Sequence, residues 1–157
     1  MDVFGGLFSN VSRGQAQWRP AADKWSLLEV VNHLADEEVE DFGTRLRRVI
    51  EDPSQDWPAI DPQRWAIERH YNSRQPQESL DRFVRARNDT VAWLTHLPPI
   101  DWQRARAHPN VGAMKAGDLL HSWLAHDFIH IRQMNRLHYE YLLTQGPAYS
   151  VDYAGKW

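Results

Sequence analysis

Three stretches of this chain repeat apolar residues with the period of an α-helix and have prolines between them, so a bundle of long helices is expected. The last stretch is the strongest. It begins near Ala116, runs to about Leu143 and closes at Gly146-Pro147, and its inward stripe reads Leu119, Trp123, His126, His130, Gln133, Met134, Leu137 and Tyr141. The first opens at Ser26, where Ser26 and Glu29 have the spacing of a capping box, and is expected to run unbroken to about Glu51 before Pro53. Its stripe is Leu28, Val31, Ala35, Val39, Phe42, Leu46, Val49 and Ile50. The middle stretch starts at Pro76 and stops before Pro98-Pro99, with Leu80, Phe83, Val84, Arg87, Val91 and Leu94 facing inward. Asp61 before Pro62 suits an N-cap for a short covering helix through Trp65 and Tyr71. The opening residues 2–10 carry two glycines and no strong period, so at most a short helix is expected there.

A chain of 157 residues with 42% hydrophobic residues and eight tryptophans can bury a full core, so one domain over residues 1–157 is expected without help from a metal. The net charge of -3 comes from interspersed acids and arginines with no basic tract, which argues against a nucleic-acid partner. Cysteine is absent, so disulfides, thiolate ligands and a cysteine nucleophile are excluded and histidine or carboxylate must supply any transition-metal site. No apolar run approaches the roughly 20 residues of a membrane span and no basic leader precedes an apolar one, so a soluble, cytoplasmic protein is expected.

His126 and His130 stand one turn plus about 40° apart, which makes them neighbours on one helix surface, able to share a metal ion. Such a pair arises readily by chance among eight histidines, and packing in the core is the ordinary explanation for it. Here both rings fall on a stripe with Trp123, Met134 and Leu137, where a buried imidazole needs a partner that a shared ion would provide. His33 is the candidate third ligand. It lies off the main stripe of the first helix but near Leu27, Val30 and Leu34, which suggests a site toward one end of the bundle. The chain has no H-E-x-x-H, and the di-iron E-x-x-H pattern is absent; Asp118 with His121 and Asp127 with His130 imitate it on a single helix, about 180° apart. His121 is therefore read as structural or solvent-facing.

Several stretches resemble the DinB-like (damage-inducible) metalloenzymes: Trp18-Arg19-Pro20, Lys24-Trp25-Ser26, His33-Leu34-Ala35-Asp36, and Ala125-His126-Asp127-Phe128-Ile129-His130-Ile131-Arg132-Gln133. Arg87 and the turn from His108-Pro109 to Gly112 also resemble that family, and the likeness covers nearly the whole chain. The resemblance implies an all-α, DinB-like four-helix bundle with one divalent ion (zinc, nickel, iron or manganese) on His33, His126 and His130. It also implies homodimers. The family usually has a full helix ahead of the W-R-P stretch where this chain offers about nine residues, so a short first helix is expected. Asp127, Glu37 and Arg87 are the candidate residues around the ligands. Asp127 suits either an acceptor for a ligand imidazole or a helix salt bridge, and Arg87 should pair with Glu37 or Asp127.

Relatives in this family include bacillithiol and mycothiol S-transferases, so the resemblance implies a small-molecule substrate and a low-molecular-weight thiol as a candidate partner. No individual catalytic residue stands out. An open position on a three-histidine ion suits activation of a thiol for S-transfer, ranked first, or hydrolysis of an amide or ester. A non-catalytic, metal-binding stress protein is the third reading.

Overall fold

The computed structural model describes residues 2–108 and 112–157, and the three periodic stretches become its long helices. The order is α1 (Asp2–Phe8), α2 (Arg13–Gln17), α3 (Leu27–Glu40), α4 (Phe42–Glu51), α5 (Pro62–Glu68), α6 (Pro76–Thr95) and α7 (Ala116–Gln145). Single 3-10 turns occur at Tyr71–Ser73 and Asp152–Ala154. The architecture is a four-helix bundle whose walls are the short α1, α3 continued by α4, α6, and α7. Ser26 caps α3 as expected, its hydroxyl accepting from Glu29 N while the Glu29 carboxylate accepts from Ser26 N at 2.9 Å. Asp61 likewise caps α5 by accepting from Arg64 N at 3.0 Å.

Two features depart from expectation. The first long helix is broken at Asp41 (φ −115°, ψ −95°), so α3 and α4 are separate helices. Gly43 permits the tight turn, since a Cβ there would stand 1.9 Å from the Glu38 carbonyl oxygen. Arg45 Nε holds Asp41 Oδ1 at 2.7 Å across the break, and the Thr44 hydroxyl donates to Val39 O at 2.6 Å. Val39, assigned to the core by an unbroken helix, is exposed, as is Val91 on α6. The second departure is a small antiparallel hairpin, β1 (Ala105–His108) with β2 (Gly112–Lys115), pairing Ala105 with Lys115. Residues 109–111 of the expected turn lie outside the described ones.

The core has two apolar clusters. One gathers Phe4, Phe8, Leu27, Leu34, Phe83 and Met134, with Phe4 meeting Phe83 edge-on at 5.3 Å. The other gathers Leu46, Val49, Ile50, Leu119 and Trp123. Along α7 the second cluster ends at Trp123 and the first resumes at Met134; along α3 and α4 the interval runs from Asp36 to Asp41. Polar groups fill that interval. His126 and His130 from one side and Glu37 and Glu38 from the other occupy the seam, where each must find a partner.

Candidate metal centre

α3 is buried on every side from Leu27 to Glu38, which is why His33 is interior although it lies off the apolar stripe. α7 brings His126 and His130 to the same place. The three Nε2 atoms form a triangle with edges of 3.4 Å (His33 to His126), 3.2 Å (His33 to His130) and 3.1 Å (His126 to His130). Among the described residues this is the one group of three or more histidine, aspartate or glutamate side chains whose ligand atoms converge closely enough to hold a metal ion.

The outer nitrogens decide what the inner ones can do. His130 Nδ1 lies 2.7 Å from Gln133 Oε1, an acceptor, so the His130 proton sits on Nδ1 and the Nε2 lone pair points inward. His33 Nδ1 lies 3.5 Å from Glu37 Oε1, too far for a hydrogen bond, and neither atom has a hydrogen-bond partner among the described residues. With the His130 proton on Nδ1, at most two protons remain for the three edges of the triangle, whereas a cation among the rings would take all three lone pairs. A proton is a poor candidate. Burial first, then the neighbouring imidazoles His130 and His126, push His33 down to about 2. Burial and His130 push His126 down to about 4, and burial lowers His130. Three ligands at about 2.0–2.1 Å on tetrahedral directions would stand about 3.3 Å apart, which the observed edges match. The donor set therefore fits a divalent ion, and imidazole suits zinc, nickel or iron.

The residues around the ligands have separate tasks. Trp25 lies against His33 with ring centroids 4.8 Å apart, and Phe42 against His126 at 5.2 Å, so the break at Asp41 is what brings an aromatic wall to the site. Arg87 pairs with both oxygens of Asp127 at 2.8 Å and, from Nε, with Glu38 Oε1 at 2.8 Å. Of the two partners expected for Arg87, Asp127 is found and Glu37 is replaced by Glu38, which also accepts from Trp123 Nε1 at 3.1 Å. Asp127 thus spends its oxygens on Arg87, and His126 Nδ1 has no partner among the described residues. Burial, then Asp41, raises the Glu37 pKa above the ordinary carboxylate range. His121 is solvent-exposed, as read.

Gln133 and Trp25 are the site residues that sequence reasoning did not single out. The signal for Gln133 was its i,i+3 position from His130, and Trp25 lay in the W-S stretch just ahead of the α3 cap. The aromatic residues of the covering segment are engaged elsewhere: Trp65 carries the Arg69 guanidinium at 4.2 Å and the Tyr71 hydroxyl donates to Asp36. A cleft of about 420 Å³ has in its wall Trp25, which packs on His33, and Gln133, the partner of His130, beside Pro20, Lys24, Arg136 and Leu137; none of the three histidines lines it. Arg19 of the W-R-P stretch secures this edge, donating to Glu29 Oε2 at 2.8 Å.

Comparison with known proteins agrees with this fold. The family model described as the DinB superfamily matches residues 2–134. Among solved structures, YfiT from Bacillus subtilis, described as a probable metal-dependent hydrolase with an unusual four-helix bundle topology, superposes with a TM-score of 0.75 at 18% identity. The match covers 87% of this chain and 78% of that one. No curated protein matches the sequence. No helix among the described residues is long and apolar enough to cross a membrane.

Proposed function

The chain belongs to the DinB superfamily, and from that premise we propose that it is a metal-dependent enzyme holding one divalent ion on His33, His126 and His130 and transferring a small thiol to an electrophile. The observation that carries this reading is the triangle of three Nε2 atoms with no fourth protein ligand among the described residues, the arrangement of an open, catalytic site. An ion bound there would supply Lewis acidity at its free position, favouring the anionic form of a thiol or of water near neutral pH.

The carboxylates separate the two nucleophiles. Glu37 faces the outer nitrogen of His33, while Glu38 and Asp127 are committed to Arg87, so none of the three is placed to protonate a leaving amine. A thiolate needs no such donor to attack a halide or an epoxide. Amide hydrolysis needs one, and esters less so. The second reading, metal-dependent hydrolysis, takes its support from the description of the fold neighbour YfiT. Within either reading Gln133 orients the His130 imidazole, Trp25 and Phe42 exclude water, and the 420 Å³ cleft receives the small-molecule substrate. We place the protein in the cytoplasm, where low-molecular-weight thiols are kept reduced.

We further read the chain as a homodimer. Leu124 and Phe128, one turn apart on α7, are 53% and 73% exposed with Ile129 beside them, an apolar face that a second copy would cover. Phe128→Asp should then give a monomer in sedimentation equilibrium, and a wild type that sediments as a monomer would remove this part.

The functional test loads the protein with cobalt, adds bacillithiol, mycothiol or a simpler thiol, and follows conjugation to monochlorobimane. Wild type should show a sulfur-to-cobalt charge-transfer band and accelerated conjugation, both lost in His130→Ala. Ester or amide cleavage without thiol conjugation would establish the hydrolase instead, and neither activity would leave a binding protein.

A further inference from the structure

Asn32, the residue before the ligand His33, belongs to a different constellation. Its side chain is fully buried, and its amide nitrogen donates to Leu28 O and to Ser79 Oγ, each at 2.9 Å. With both donors engaged, the amide oxygen is directed at Arg74, whose Nη1 donates to it at 3.2 Å. Arg74 Nε donates to Arg69 O at 3.1 Å, so this guanidinium is clamped by two neutral acceptors. Among the described residues no carboxylate forms an ion pair with it, whereas Arg19 and Arg45 each have one and Arg69 and Arg87 two.

Arg74 lines a cleft of about 470 Å³ together with Arg82, Arg85, Asn32, Ser79 and Glu78. Arg82 spends Nη2 on Asp36, a carboxylate it shares with Arg69, and its Nη1 has no acceptor among the described residues. Arg85 follows one turn later on α6, is exposed, and has no ion pair among the described residues. Against these three cations the cleft wall has one acid, the exposed Glu78. Guanidinium groups held in place with donors unspent are the usual recognition element for a doubly charged oxyanion, and the volume falls in the range of small-molecule sites, roughly 300–1,000 Å³.

We propose that this cleft is a second ligand site, separate from the histidine centre, that binds the phosphate group of a small phosphorylated molecule. Arg74 is its preorganised anchor. Arg82 and Arg85 complete the charge, and Glu78 at the rim selects against unmodified acidic peptides by repulsion.

The test uses the metal-loaded full chain at constant ionic strength, with chloride replaced in turn by inorganic phosphate, phenyl phosphate and acetate. For a millimolar dissociation constant, phosphate at ten times that concentration should raise Tm by about 3–6 °C over chloride. Phenyl phosphate should bind at least as tightly, and acetate should act like chloride. Arg85→Ala, an exposed change that leaves the core intact, should weaken phosphate about tenfold by calorimetry, and Arg74→Ala more. Arg132→Ala on α7, outside this cleft, should leave it unchanged. A phosphate effect no larger than chloride, one matched by acetate, one that survives both Arg74→Ala and Arg85→Ala, or one that disappears when the metal is chelated would each overturn the site.

Discussion

Replacing Arg87 with methionine tests whether the polar seam between the two apolar clusters depends on a single cation. Arg87 is 13% exposed, and it bridges Glu38 on α3, at 1%, to Asp127 on α7, at 14%. Methionine keeps much of the volume but leaves two carboxylates enclosed without a counter-charge. Breaking a buried pair from one side costs about 3–5 kcal/mol. For a chain of this length that corresponds to a fall in Tm of roughly 6–20 °C. The sign of the pH dependence follows from Glu38, whose pKa burial raises even with Arg87 present. A carboxyl raised above its unfolded value contributes stability that is present below the unfolded pKa and lost as pH rises through the folded one. Removing Arg87 raises it further, so the deficit of Arg87→Met should shrink between pH 8 and pH 5.5. Urea unfolding of wild type, Arg87→Met, and Arg87→Met combined with Glu38→Gln and Asp127→Asn measures this directly. The triple variant should recover most of the loss, because neutral amides need no counter-ion. A deficit under about 1 kcal/mol, or one independent of pH, would refute the argument.

Gly43→Ala should cost about 1–3 kcal/mol or more and loosen the α3–α4 junction, since its Cβ would meet the Glu38 carbonyl at 1.9 Å, whereas Gly5→Ala, with nothing within 4 Å, should be neutral or slightly stabilising; urea midpoints check both. Chelation should lower Tm without abolishing the helical far-ultraviolet spectrum, because the two apolar clusters do not contain the ligands; a random-coil spectrum would make the ion structural. In the metal-free protein His33 and His126, at about 2 and about 4, bind fewer protons than in the unfolded chain from about pH 6.5 toward pH 4 and so lower stability on acidification, against the opposite contribution of Glu37 and Glu38, whose raised pKa values keep protons on the folded state; His126→Gln should therefore lessen the acid loss relative to wild type in unfolding titrations.

The long helices were legible because their period, their caps and their bounding prolines agree, and Ser26, Asp61 and Pro76 act where the sequence places them. The break at Asp41 was not, because the apolar stripe continues through it; the signal was Gly43, whose role depends on how closely the Glu38 carbonyl approaches. β1 and β2 are four residues each, too short for strand alternation to register. At the site, the spacing of His126 and His130 pointed to a shared partner, while His33 was harder because a helix buried all round has no single inward stripe. Glu38 was passed over for Glu37 as the partner of Arg87, since adjacent residues on one helix differ by about 100° and only the placement of α6 decides between them.

Elemental analysis of the purified protein, set beside its single histidine variants, tests the central claim most directly. Wild type should carry one divalent ion per chain, His33→Ala, His126→Ala and His130→Ala should each lose it, and His121→Ala should retain it. A wild type that holds no metal after incubation with zinc, nickel, iron and manganese, or a His126→Ala variant that holds it as well as wild type, would contradict the assignment.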